Sequence, residues 1–364
     1  MIRQGHLGRT EAIIVAVAAT AGKIFLSQPA VAAQHTATAA PLMVLVNGLL
    51  SMGLGWMLFS SLDPEREEGM VAQFERLAGP AGTLIGAVIA AYFFGIVALH
   101  TRQMGGAIIT GILPNTPITV VEGATVLVFS YAAVLGLEAI ARSAMVLLLP
   151  IVTVVFILLL LTLPRMDFTR FFPPLGFGWQ STLYWSAFSG WYREAWVVAV
   201  LFPYLRRRAE VVKIGVRAIA WSALVLTIVT SALLALFGYP TLTHFPAPAA
   251  EGSRAVYLGP FISNLESVFV FLFTTALFLT LSVMFWASCL LVADLLKLDE
   301  YRPLVPLLAV GAWLFGYLPG SLMETVHWVD EEVKQLTSFV LYPGIGLLWF
   351  LALRRRKKER RHAC

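Results

Sequence analysis

Long apolar runs divide this sequence, and its charges are confined to the short segments between them. A helix needs roughly 20 mostly apolar residues to cross a bilayer. On that criterion spans fall near residues 11–33, 39–62, 80–104, 117–137, 140–163, 181–204, 214–238, 261–293, 303–318 and 335–353. The ninth is short, and the eighth is long enough to include an outer lead-in. Apolar residues make up 59% of the chain and charged residues 13%, with mean hydropathy +0.80. A soluble domain carries roughly a quarter charged residues, so no polar block is available to build one. The expectation is one all-α integral membrane bundle over residues 1–353, followed by a basic tail at 354–364.

The basic residues test this count. Nineteen of the 26 Lys and Arg fall in segments assigned to the inside, seven of them in the tail. Five, namely Arg102, Arg165, Arg170, Arg254 and Lys334, fall outside, while Lys23 and Arg193 lie within spans. Cytoplasmic segments carry such an excess, so both termini are expected in the cytoplasm and the span number is even. The same placement accounts for the net charge of +5 without nucleic acid as a partner. A competing reading takes Arg3, Arg9 and Val31-Ala32-Ala33 as a cleavable signal sequence; Gly22, Lys23 and Pro29 interrupt its apolar core. Residues 63–79 read as a surface helix, and the proline-bearing stretch 239–260 as a cover over the outer mouth. Residues 323–334 read as an acidic outer loop.

Backbone groups inside a bilayer must be paired, so a mid-span break persists only where it lines a cavity or is buried in protein. Two segments read as breaks: Thr20-Ala21-Gly22-Lys23-Ile24-Phe25 with Pro29 beyond, and Phe188-Ser189-Gly190-Trp191-Tyr192-Arg193-Glu194 with Pro203 beyond. They lie in spans 1 and 6, which open the two halves of the chain. Interrupted segments at corresponding positions of two five-span halves mark the midplane site of inverted-repeat membrane proteins. The halves are assigned to residues 1–163 and 164–353. Lys23, Arg193 and Glu194 would each cost about 3 kcal/mol at a span centre. Lys23 is therefore expected to meet Glu194 across the breaks, and Arg193 either to meet a ligand carboxylate or to snorkel out. The opposing reading is a buried pair that only fixes helix packing. Trp191 and Tyr192 are candidate walls, and Tyr92 and Ser282 candidate cavity residues. Asn47, Tyr131, Thr274 and Thr275 fit helix–helix hydrogen bonds, while Gly48, Gly53, Gly55, Gly82 and Gly86 suggest close packing. His100 is expected at the membrane interface.

No catalytic set is present: there is no GxSxG, HExxH or P-loop pattern, and no histidine or cysteine cluster with metal spacing. Neither enzyme chemistry nor a cofactor or metal is expected.

The chain resembles the spore germination permeases, the B subunits of GerA-type germinant receptors within the amino acid–polyamine–organocation superfamily. The resemblance is carried by Gly22 with Pro29, by Gly136-Leu137-Glu138-Ala139-Ile140-Ala141-Arg142-Ser143, by Glu194 with Leu201-Phe202-Pro203-Tyr204-Leu205, and by Asp299-Glu300-Tyr301-Arg302-Pro303-Leu304. It implies ten transmembrane helices as a 5+5 inverted repeat of the LeuT/APC type, with helices 1 and 6 broken. It also implies a small-molecule germinant, with an amino acid the leading class, sensed in the bacterial spore inner membrane. The implied partners are an A subunit and a lipoprotein C subunit. Carried onto this sequence, the ligand site is Gly22, Lys23 and Ile24 with Ser189, Gly190, Trp191, Tyr192, Arg193 and Glu194. The chain departs from the family pattern at Lys23, usually a small residue, and at residues 190–193. The alternatives are a stand-alone amino-acid or amine transporter and a membrane scaffold with a vestigial pocket. The tail fits all three by holding the last span against anionic lipid.

Overall fold

The computed structural model describes residues 6–111, 113–255 and 265–362. Arg3, Pro260 and Cys364 lie outside the described residues. The described chain is helical apart from turns and one isolated bridge between Leu7 and Leu205. Seven helices in it are long and apolar enough to cross a membrane by themselves. Span 9 falls short of that length, and spans 1 and 6 fail because they are broken, which brings the bundle to the ten spans expected.

Span 1 comprises α1 (Arg9–Ala21), a 3-10 turn (Gly22–Phe25) and α2 (Gln28–Thr36). Pro29 sits in the first turn of α2, where its missing N–H costs nothing. Spans 2 and 3 are α3 (Ala40–Ser60) and α5 (Pro80–Gly111), with the expected surface helix between them as α4 (Met70–Ala78). Spans 4 and 5 are α6 (Ile118–Leu135) and α7 (Leu137–Thr162). Span 6 is α8 (Trp179–Phe188), an irregular stretch at 189–192, a 3-10 turn (Arg193–Trp196) and α9 (Val197–Leu201). Span 7 is α10 (Val211–Phe237). Beyond it α11 (Tyr239–Leu242) and α12 (Pro248–Arg254) cross the end of the bundle, and span 8 is α13 (Leu265–Leu295). Span 9 is the short α14 (Val305–Phe315). The last span is α15 (Leu322–His327), a π-helical stretch (Trp328–Val333) and α16 (Lys334–His362). The basic tail therefore continues α16 as helix.

The centre of the bundle is built from the two broken spans and α13. In α1 the inward positions are Ala12, Ala16, Ala18 and Ala19, all fully buried, and such small residues let helix backbones approach closely. Every residue of α9 is buried. The periphery is the reverse: Val146 and Leu149 on α7 are 70% and 71% exposed, as suits a face turned to lipid rather than water.

Both ends of the described chain lie at one end of the bundle. The Leu7 N–H donates to the Tyr204 carbonyl at 2.8 Å. Arg208 reaches Glu67 at 2.9 Å, and that ion pair holds the exposed Glu67 carboxyl below its usual range. Arg356 donates to the Ser60 and Leu62 carbonyls at 2.9 and 3.2 Å. The acidic outer loop expected at 323–334 is partly overturned. Asp330 and Lys334 are 1% and 0% exposed, because the chain there is a π-bulged helix packed into the bundle.

Glycines set the closest helix approaches. A Cβ on Gly48 would meet the Ala223 Cβ at 2.5 Å, and one on Gly215 would meet the Phe59 ring at 2.0 Å, so α3 and α10 pack nearly backbone to backbone. Gly82 and Gly86 admit α4 in the same way, whereas Gly53 faces nothing within 4 Å. Overpacking of this kind costs about 1–3 kcal/mol. Gly215→Val should therefore lower the melting temperature of the detergent-purified protein by several degrees, while Gly53→Ala leaves it unchanged.

Candidate functional site

The two breaks face each other. At the first, Gly22 has helical dihedrals (φ −58°, ψ −28°), so it serves space rather than conformation. A Cβ there would lie 2.6 Å from Leu277 and 2.9 Å from the Thr280 hydroxyl. That closeness lets the Gly22 N–H donate to Thr280 Oγ1 at 2.9 Å, while Thr280 donates onward to the Ala18 carbonyl at 2.7 Å. At the second break Gly190 has φ +56°, a left-handed conformation open chiefly to glycine. The turn exposes the Trp191 carbonyl and swings Arg193 back over Gly190, where a Cβ would lie 1.9 Å from the guanidinium.

Lys23 joins the breaks. Its Nζ donates to both the Trp191 carbonyl and Glu194 Oε2, and the two side chains are 1% and 0% exposed. The other carboxylate oxygen, Oε1, accepts from Tyr92 Oη at 3.0 Å. The expected Lys23–Glu194 contact is thus present, and Tyr92 lies beside it. Ser282 is placed differently from Thr280: two residues farther along α13, it is turned about 200° round the helix. Ser189 spends its hydroxyl on the Trp185 carbonyl. Ile24, Trp191 and Tyr192 border a cavity of about 30 Å³ together with Lys23, Ile151 and Ser222. Ligand pockets occupy hundreds of cubic ångströms, so side chains fill the space between the breaks in this conformation.

Arg193 does not snorkel out. It is 1% exposed and turned towards the last span. Its guanidinium donates to the Lys334 carbonyl, to Thr337 Oγ1 and, at 2.8 Å, to Ser338 Oγ. It also lies over the rings of Tyr92 and Tyr342, at 5.1 and 5.8 Å.

A second buried pair was not foreseen. Lys334 binds Asp330 one turn away, and Asp330 accepts from Ser27 Oγ at 2.9 Å and Gln28 Nε2 at 3.3 Å. The start of α2 is thereby tied to the π-helical stretch, a distortion frequent at functional sites. Neighbouring acidic residues made this segment resemble a solvated loop; the sequence signal available was the i,i+4 spacing of Asp330 and Lys334. His100 is another correction. It is fully buried on α5, not interfacial, and neither ring nitrogen has a partner. Gln103, one turn on, is also unpartnered and borders a cavity of about 140 Å³ beneath α12, with Ser27, Arg254 and Leu322. That cavity leads from the end opposite the termini towards the Ser27–Asp330 contact.

A buried pair that loses one partner is destabilised by about 3–5 kcal/mol, whereas losing both can be nearly neutral. Lys23→Met and Glu194→Gln should each lower thermal stability strongly. The double variant should recover a large part of the loss, as a double-mutant cycle on melting curves would show.

The described groups therefore form a buried, cross-linked core at the two breaks. The fold matches that of the crystal structure of MhsT in complex with L-phenylalanine, with a TM-score of 0.71 at 16% identity, over 97% of this chain and 96% of that one. No curated protein matches the sequence. A family model described as spore germination protein matches residues 7–319, a stretch that takes in both breaks and Lys23, Arg193 and Glu194. The protein belongs to the spore germination permease family.

Proposed function

We propose that this protein is the B subunit of a germinant receptor, binding a small metabolite of amino-acid size between the two breaks and passing the event to A and lipoprotein C subunits. The observation that carries the reading is the Lys23 contact across the breaks, which brings together two segments 171 residues apart. Family membership points to germination, and the L-phenylalanine held by MhsT supports a ligand of that size. The site lies between halves assigned to residues 1–163 and 164–353, in the spore inner membrane, with both termini and the basic end at 354–364 in the cytoplasm. A ligand shifts such a bundle only by its differential affinity for the two arrangements. The filled site is one arrangement, and binding favours another in which Lys23 or the aromatic walls have moved.

The test is thermal melting of the purified protein against a panel of amino acids, sugars and nucleosides, in wild type and Glu194→Gln. A compound-specific rise that disappears in Glu194→Gln is expected. A rise unchanged by that substitution would move the site elsewhere. The fold also supports a second reading, a stand-alone secondary transporter; accumulation of the same compound in liposomes holding this chain alone would favour it over the receptor.

A further inference from the structure

Two acceptors stand at the second break, the Trp191 carbonyl and the Glu194 carboxylate, and both are taken by the Lys23 amine. A ligand amine would compete for them with an amine held on the chain itself, at high effective concentration. The charge left over is equally informative. While each pair holds one proton, Lys23 with Glu194 and Lys334 with Asp330 sum to zero. Arg193 remains. A guanidinium stays charged at any accessible pH, yet every described partner of this one is neutral: two hydroxyls, a backbone carbonyl and two aromatic faces. Among the described residues no carboxylate reaches it, and its buried Nε has no acceptor. A buried cation without a counter-ion is costly, and a planar carboxylate matches the guanidinium fork.

We propose that the site takes a small monocarboxylate lacking a free amine, with Arg193 receiving the carboxylate and Lys23 standing where a ligand amine would bind. This rests on the breaks being the ligand site, and it narrows the ligand to one half of an amino acid. A zwitterion would bring a second amine to acceptors already saturated and would leave the Arg193 charge balanced only by half of a neutral molecule.

Matched compounds test it on the purified full-length chain: L-phenylalanine with 3-phenylpropionate and 2-phenylethylamine, and L-alanine with propionate and ethylamine. In wild type a carboxylate should raise the melting temperature at concentrations at least about tenfold below those its amino acid needs, and the amines should do nothing. Lys23→Ala should reverse the order of carboxylate and amino acid, and Arg193→Lys should weaken both. Equal or tighter binding of the amino acid by wild type overturns the proposal and leaves the break site standing. A wild type that melts unchanged with every carboxylate also overturns it. If a sugar or nucleoside then stabilises wild type and Glu194→Gln alike, the break site falls with it.

Discussion

The ammonium of Lys23 is the point on which this bundle turns. Two helices stop at the same depth, and each stop frees backbone groups that a bilayer interior cannot solvate. Thr280 answers the N–H of Gly22, and Lys23 answers the carbonyl of Trp191. Because Lys23 also holds Glu194, backbone repair and charge pairing are one arrangement, and the two halves of the chain cannot separate there without exposing both. The alanines of α1 follow from this: only small side chains allow the first broken span to lie close enough to the second.

Much of this was legible in the sequence because it rests on local or compositional constraints. Span positions follow from the cost of charge in hydrocarbon, and the breaks from glycine and ionisable residues within apolar runs. The Lys23–Glu194 contact followed from the need to pair both charges. Gly22 shows where the reasoning was right about place and incomplete about cause, since its dihedrals are helical and its role is clearance for Leu277 and Thr280. Tertiary packing hid the rest. Asp330 and Lys334 stand beside acidic neighbours that suggest water, and only the path of the π-helical stretch brings them inside. For Arg193 the sequence left a ligand carboxylate and snorkelling both open and did not point to α16, because nothing in its own span indicates that Gly190 lets it fold back.

The filled site also constrains energetics. The Gly22 amide, the Trp191 carbonyl and the Glu194 carboxylate are occupied by side chains of the chain itself, so a guest at the breaks would exchange one set of contacts for another. Net affinity is then small relative to the interactions made, and selectivity depends on which host contacts the guest can replace. Gln103, buried without a partner, lines the cavity beneath α12, and the equally unpartnered His100 lies one helical turn away on α5.

The last span gives the bundle a mechanical connection. Arg193 grips α16 at Lys334 and Ser338. Far along the same helix Arg355 and Arg356 grasp the backbone at Ser60, Leu62 and Arg76. Between these grips lie roughly 30 Å of helix at 1.5 Å per residue, interrupted by Pro343, whose missing N–H removes one rung of the hydrogen-bond ladder. A rod anchored at both ends and weakened at one level concentrates its bending at that level. A small sideways displacement at the buried guanidinium would thus be taken up as a bend of α16 near Pro343.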